Sequence, residues 1–70
     1  MDRIGNINVL KIKKFMKDYE FSQSLFCDYC GLSMPTLKKI LNNDSNVSLG
    51  SIKKVAHFMN VKVWELLKLE

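Results

Sequence analysis

An all-α bundle of five helices is what this 70-residue chain predicts, on three observations. Apolar residues recur at helical spacing in five separate stretches, Asn or Ser stands near the head of four of them, and no segment alternates with period two between turn signals. Hydrophobic residues make up 47% and charged residues 26% of the sequence, without repeats or low-complexity runs, so one compact domain should form. A chain this short buries only about 60% of its unfolded surface, and its stability is expected to be modest.

Residues 1–7 form a lead containing Gly5, expected to be irregular or loosely held, and the folded domain is placed at 8–69. Helix 1 is predicted over about 8–19, capped by Asn6 or Asn8, with Val9, Ile12, Phe15, Met16 and Tyr19 on its inner face. Lys11, Lys14, Lys17 and Asp18 then fall in water. Phe21 precedes the Ser22 cap and is placed to pack against the first turns of helix 2 as a hydrophobic staple. Helix 2, about 23–30, carries Phe26, Cys27 and Cys30 inward and halts at Gly31.

Ser33 caps helix 3, about 34–42, with Pro35 in the first turn where a missing N–H costs nothing. Leu37, Ile40 and Leu41 point inward and Lys38 and Lys39 outward; Asn42-Asn43 tolerate the left-handed backbone at which a helix can end. Residues 42–48 read as a polar loop. Helix 4 begins after Ser48 and runs to about Met59 through Leu49, Ile52, Val55 and Ala56, with Asn60 as its stop. A short fifth helix, about 63–69, brings Val63, Leu66 and Leu67 to close the core.

The formal charge of +4 and a pI near 9.2 suit a polyanionic partner. Between Ser33 and Asn43 there are two lysines and no acid, which makes helix 3 locally more basic than helix 2 with Asp18, Glu20 and Asp28 in or before it. No apolar run approaches the roughly 20 residues that span a bilayer, and the opening MDRIGN lacks the apolar stretch of a signal peptide. No membrane partner and a cytoplasmic location are therefore expected.

Cys27-Asp28-Tyr29-Cys30 is a C-x-x-C, but zinc takes about four ligands and only His57 adds a soft donor. A thioredoxin-like site needs a βαβ context that is missing, so the cysteines are read as small apolar core residues and no metal or cofactor is expected. His57 reads as a surface residue beside Lys53 and Lys54. With no phosphate-cradling glycine loop, no paired carboxylates and little room for a water-excluding pocket, neither enzymatic activity nor a small-molecule ligand is indicated.

Two short helices joined by a Gly-containing turn make a helix-turn-helix. Ser22-Gln23, Phe26-Cys27, Gly31-Leu32-Ser33, Thr36-Leu37, Ile40, Ala56 and Met59-Asn60-Val61 together resemble the lambda-repressor-like, or XRE/Cro-type, helix-turn-helix family over about residues 12–67. The family usually has Leu-Ala at the Phe26-Cys27 positions and Leu-Gly-Val at Met59-Asn60-Val61. The resemblance implies a five-helix bundle that binds operator DNA as a transcription regulator, commonly as a two-fold homodimer. It implies that Gln23 meets a phosphate at the helix 2 N-terminus. Ser33, Met34, Pro35, Thr36, Lys38 and Lys39 would lie at the groove, with Lys39 the foremost candidate to donate to guanine O6 and N7 and Met34 and Pro35 offering apolar contact to a thymine methyl. Asn42, Asn43 and Ser45 would hold phosphates.

Where the family often places a buried Arg–Glu ion pair, this chain has Met16 and Leu41. Exchanging both partners for packed apolar groups is often neutral or stabilising by about 1–4 kcal/mol, whereas losing one strands a charge. Phe58 and Trp64, with Val61 and Val63, either complete a small core or form the self-association patch of a dimer. Few amides and arginines stand on helix 3, so the competing expectation is a protein-interaction module of the same fold, antitoxin-like or regulatory, with weak or no DNA binding.

Overall fold

The computed structural model describes residues 7–44 and 46–67. Four α-helices follow one another: α1 Val9–Asp18, α2 Gln23–Cys30, α3 Met34–Leu41 and α4 Leu49–Met59, with a single 3-10 turn at Val63–Leu66. Each α-helix begins the same way. Asn8, Ser22, Ser33 and Ser48 accept a hydrogen bond from the backbone N–H three residues on, relieving a donor that the helix cannot satisfy itself.

Each also ends the same way. Glu20, Gly31, Asn43 and Asn60 take the left-handed conformation, with φ of 57°, 76°, 56° and 59°. The following N–H then turns back onto a carbonyl five residues earlier: Phe21 to Met16 at 2.8 Å, Leu32 to Cys27 at 2.9 Å, Asp44 to Lys39 at 2.9 Å and Val61 to Ala56 at 3.0 Å. This is the returning bond of a Schellman ending. In three of the four cases the residue just past the turn, Phe21, Leu32 or Val61, is partly buried against the core, so the chain is redirected inward at each reversal.

The core comprises Ile12 and Met16 from α1, Phe26, Cys27 and Cys30 from α2, Leu37 and Ile40 from α3, and Ile52, Val55, Ala56 and Met59 from α4. Leu66 closes it from the 3-10 turn. Phe26 touches the rings of Phe15, Phe21 and Phe58 at centroid separations of 6.3, 5.9 and 5.7 Å, and the first of these helix 2 contacts to note is Phe21–Phe26, the expected staple. Met16 is buried and Leu41 half-buried against the same core, so the two positions of the absent ion pair are filled by packed apolar side chains.

The structure departs from the sequence expectations in four places. Ile7, assigned to a loose lead, is buried and pinned: its N–H donates to Asn43 Oδ1 at 2.8 Å and it pairs with Leu67 in an antiparallel bridge. The rest of that lead, residues 1–6, lies outside the described residues. Tyr19, assigned to the inner face, is 67% exposed because α1 stops at Asp18; its ring lies against Phe15 at 4.6 Å. Val47, inside the supposedly polar loop, is buried.

The fifth helix is the last departure. Only four residues turn, as 3-10 helix, because the carbonyl of Leu66 is taken by Asn8 N–H at 2.7 Å and Leu67 is extended, at φ −113° and ψ 140°, to meet Ile7. Residues 68 and 69 of the expected helix lie outside the described residues.

Both cysteines are buried free thiols, as their helical spacing suggested. Burial, aided by neighbouring Asp28, pushes the Cys27 thiol up; burial, aided by Cys27, pushes Cys30 up to about 11.

Two predictions follow from backbone and burial. Glu20 occupies a left-handed position at a steric cost of about 1–2 kcal/mol for an L side chain, so Glu20→Gly should raise the urea midpoint, while Gly31→Ala should lower it by a comparable energy. A Cβ at Gly31 would meet no atom within 4 Å, so that loss would be conformational alone. The second concerns pH. A thiol whose folded pKa is raised holds its proton more tightly in the native state, so its contribution is complete below the unfolded value near about 8.5 and is lost as pH rises toward about 11. Urea midpoints measured across that window should fall, and the fall should be shallower in Cys30→Ala.

Candidate nucleic-acid interface

The geometry of α3 follows from which of its residues the core claims. Leu37 and Ile40 are fully buried, which leaves Pro35, Lys38, Lys39 and Asn42 on the opposite side. Their spacing, three or four residues apart, makes one continuous exposed stripe along the helix. Lys38 and Lys39 have no ion pair among the described residues, whereas Lys14 is held by Asp18 at 3.0 Å and Lys11 by Glu65 at 3.7 Å. The two ammonium groups on α3 are therefore presented outward on a helix whose inner side is fixed.

The turn before α3 is held from several directions. Leu32 N–H donates to the Cys27 carbonyl, Cys27 Sγ lies 3.7 Å from the Ser33 carbonyl, and Lys54 Nζ reaches from α4 to the Gly31 carbonyl at 3.4 Å. Lys54 was not anticipated as part of this region, and a contact across 23 residues leaves no local mark in the sequence. Its charge sits at the C-terminal end of α2, where the helix dipole favours a cation.

The predicted site residues take up different positions around this frame. Gln23 is the first residue of α2 and is exposed beside the free N–H groups of that terminus. Ser33 spends its hydroxyl on the cap, accepting from Thr36 N–H at 3.4 Å and pairing with Thr36 Oγ1 at 2.9 Å, so Thr36 is half-buried and drawn toward the turn. Met34 is 37% exposed, with its sulfur 3.5 Å from Cys27 Sγ, and thus bridges the outer surface and the core. Asn42 caps the C-terminus of α3 from an exposed position.

Asn43 is committed elsewhere: its Oδ1 accepts the Ile7 N–H, so its side chain ties the start of α1 to the end of α3. Ser45 lies outside the described residues. In the same loop Asp44 turns its Oδ1 onto Asn46 N–H at 2.8 Å, which holds the one carboxylate close to α3 within a local turn.

The four residues considered for self-association also separate. Phe58 is half-buried within a ring cluster that includes Phe15, Phe21, Phe26 and Tyr29, at centroid separations of 5.5–5.8 Å. Val61 and Val63 are half-buried against the core. Trp64 stands out, 63% exposed on the 3-10 turn.

Among the described residues no group of three or more His, Cys, Asp or Glu is arranged to hold a metal ion, and no helix is long and apolar enough to cross a membrane. Chemically, the surface offers two ammonium groups, an amide and the positive ends of two short helices on adjoining elements, a combination suited to phosphate oxygens and base edges. No curated protein and no solved structure matches the chain. A family model for the Cro/C1-type helix-turn-helix DNA-binding domain does match, over residues 11–70, which takes in α2, the turn, α3 and α4. With that match and the capped helix-turn-helix geometry together, the chain belongs to the Cro/C1-type helix-turn-helix DNA-binding domains.

Proposed function

We propose that this domain is a sequence-reading transcription regulator of the phage-repressor type, with α3 as its recognition helix in the major groove of operator DNA. The observation that carries the reading is the outward stripe of α3, where Lys38 and Lys39 stand without ion-pair partners among the described residues. Lys39 donates to guanine O6 and N7, Pro35 and the exposed part of Met34 meet thymine methyls, and Lys38 lies beside them. Gln23 and Asn42 flank that strip and hold phosphates, fixing the register of the helix on the duplex. Ser33 and Thr36 serve first through the cap that sets the direction of α3, and Asn43 through its hold on Ile7.

The domain works in the cytoplasm, where its duplex would be found, and pairs two-fold through the face around Trp64, with Val61 and Val63 beside it. Exposure of a large aromatic there supports the pairing, because a tryptophan left in water gains by being covered. Two copies related by such an axis would present their recognition helices about 34 Å apart on one face of the duplex.

Gel-shift titrations test the DNA reading directly. Random duplex should be bound at low salt and released as salt rises, through counterion release. On a duplex selected from a random pool, Lys39→Ala should lose about tenfold to a hundredfold in affinity, more than it loses on random duplex. Absence of any shift at low salt would favour the protein-interaction alternative. For the pairing, sedimentation across a concentration series should show a dimer that Trp64→Ala dissociates; a monomer at every concentration would end that part of the proposal.

A further inference from the structure

Behind the turn that sets α3, two thiols and a thioether come together. Cys27 Sγ lies 3.5 Å from Met34 Sδ, and Cys27 and Cys30 are both free and buried. Their spacing of three residues within α2 places them on one face of the helix, with Cβ atoms about 5–6 Å apart. Zinc would be left short, since it takes four ligands and the described residues supply no third His, Cys, Asp or Glu.

A soft monovalent cation has different needs. Thiolate and thioether sulfurs together select Cu(I) over the harder divalent ions. Three sulfurs arranged around one metal at bond lengths of about 2.3 Å would stand about 4 Å from one another, close to the separation already present between Cys27 and Met34. We propose that Cys27, Cys30 and Met34 form a three-sulfur site for Cu(I), buried beneath the first turn of the recognition helix.

Loading is a ligand exchange without electron transfer: one Cu(I) enters, two thiol protons leave to solvent, and two Cu–S bonds to thiolates and one to the thioether form. Met34 supplies the entrance. It is unbranched, flexible and partly exposed, so it can swing aside and return over the ion. Since Met34 is also the first residue of α3, the bound ion would tie that residue to α2 and withdraw its thioether from the outer surface. Neither the site nor its test depends on what α3 contacts.

The test is competition for Cu(I) under anaerobic, reducing conditions, with the reduced protein titrated into the coloured Cu(I)–bicinchoninate complex. One Cu(I) per chain should be withdrawn and the colour lost in proportion. Cys30→Ala should abolish the withdrawal, with helicity followed by circular dichroism. Met34→Leu, a volume-conserving exchange that removes only the sulfur, should remain folded yet bind at least about tenfold more weakly. No withdrawal by the unaltered protein, unchanged affinity in Met34→Leu, or one Cu(I) shared by two chains would each overturn the three-sulfur assignment.

Discussion

In helices of eight residues, nearly every peptide group is a terminal one, and that constraint governs this molecule. The first four N–H and the last four C=O groups of an α-helix lack partners within it, which for α2 and α3 accounts for the whole length of each. Helices so short are marginal in water by themselves. Their direction is fixed instead by what stands at the ends: a serine hydroxyl at each start and a left-handed residue with its returning N–H at each finish. Because α2 ends at Gly31 and α3 starts at Ser33, ending and beginning share one turn, and the angle between the helices is set there.

This arrangement also explains what the sequence could reveal. Ser22, Ser33, Ser48 and Gly31 were legible because each has a side chain, or lacks one, suited to a single local task beside a periodic apolar run. Glu20 was not, since nothing in a glutamate favours left-handed backbone; the tertiary pull on Phe21, which is packed against the core, holds it there. Ile7 and Val47 were missed for a related reason. An isolated apolar residue in a polar stretch has no period, and only contacts distant in sequence show that it is buried. The shortened fifth helix was hidden in the same way, because Asn8 and Ile7 claim the backbone of Leu66 and Leu67 from nearly the whole chain away.

The candidate interface divides along the same line. The outward positions of α3 could be read because they are the complement of Leu37 and Ile40, and periodicity that locates a core also locates the face opposite it. Asn43 and Lys54 could not. Asn43 looks in sequence like a polar residue after a helix, available to a phosphate, but the Ile7 N–H 36 residues away engages it. Lys54 looks like one more solvated lysine of α4, but it reaches the turn carbonyl of Gly31. Both act on the placement of α2 or α3 through contacts that no local pattern encodes.

Holding and reading are thus assigned to different sides of α3, with one exception. Substitutions among Pro35, Lys38, Lys39 and Asn42 touch the stripe and leave the buried side intact, so surface chemistry can vary there with little effect on the fold. Met34 belongs to both sides: its sulfur lies against Cys27 beneath the turn, while part of the side chain reaches solvent. Any change at that position must therefore alter the packing behind α3 together with the surface in front of it. It is the point at which the buried sulfur chemistry of α2 is physically connected to the outward face of the next helix.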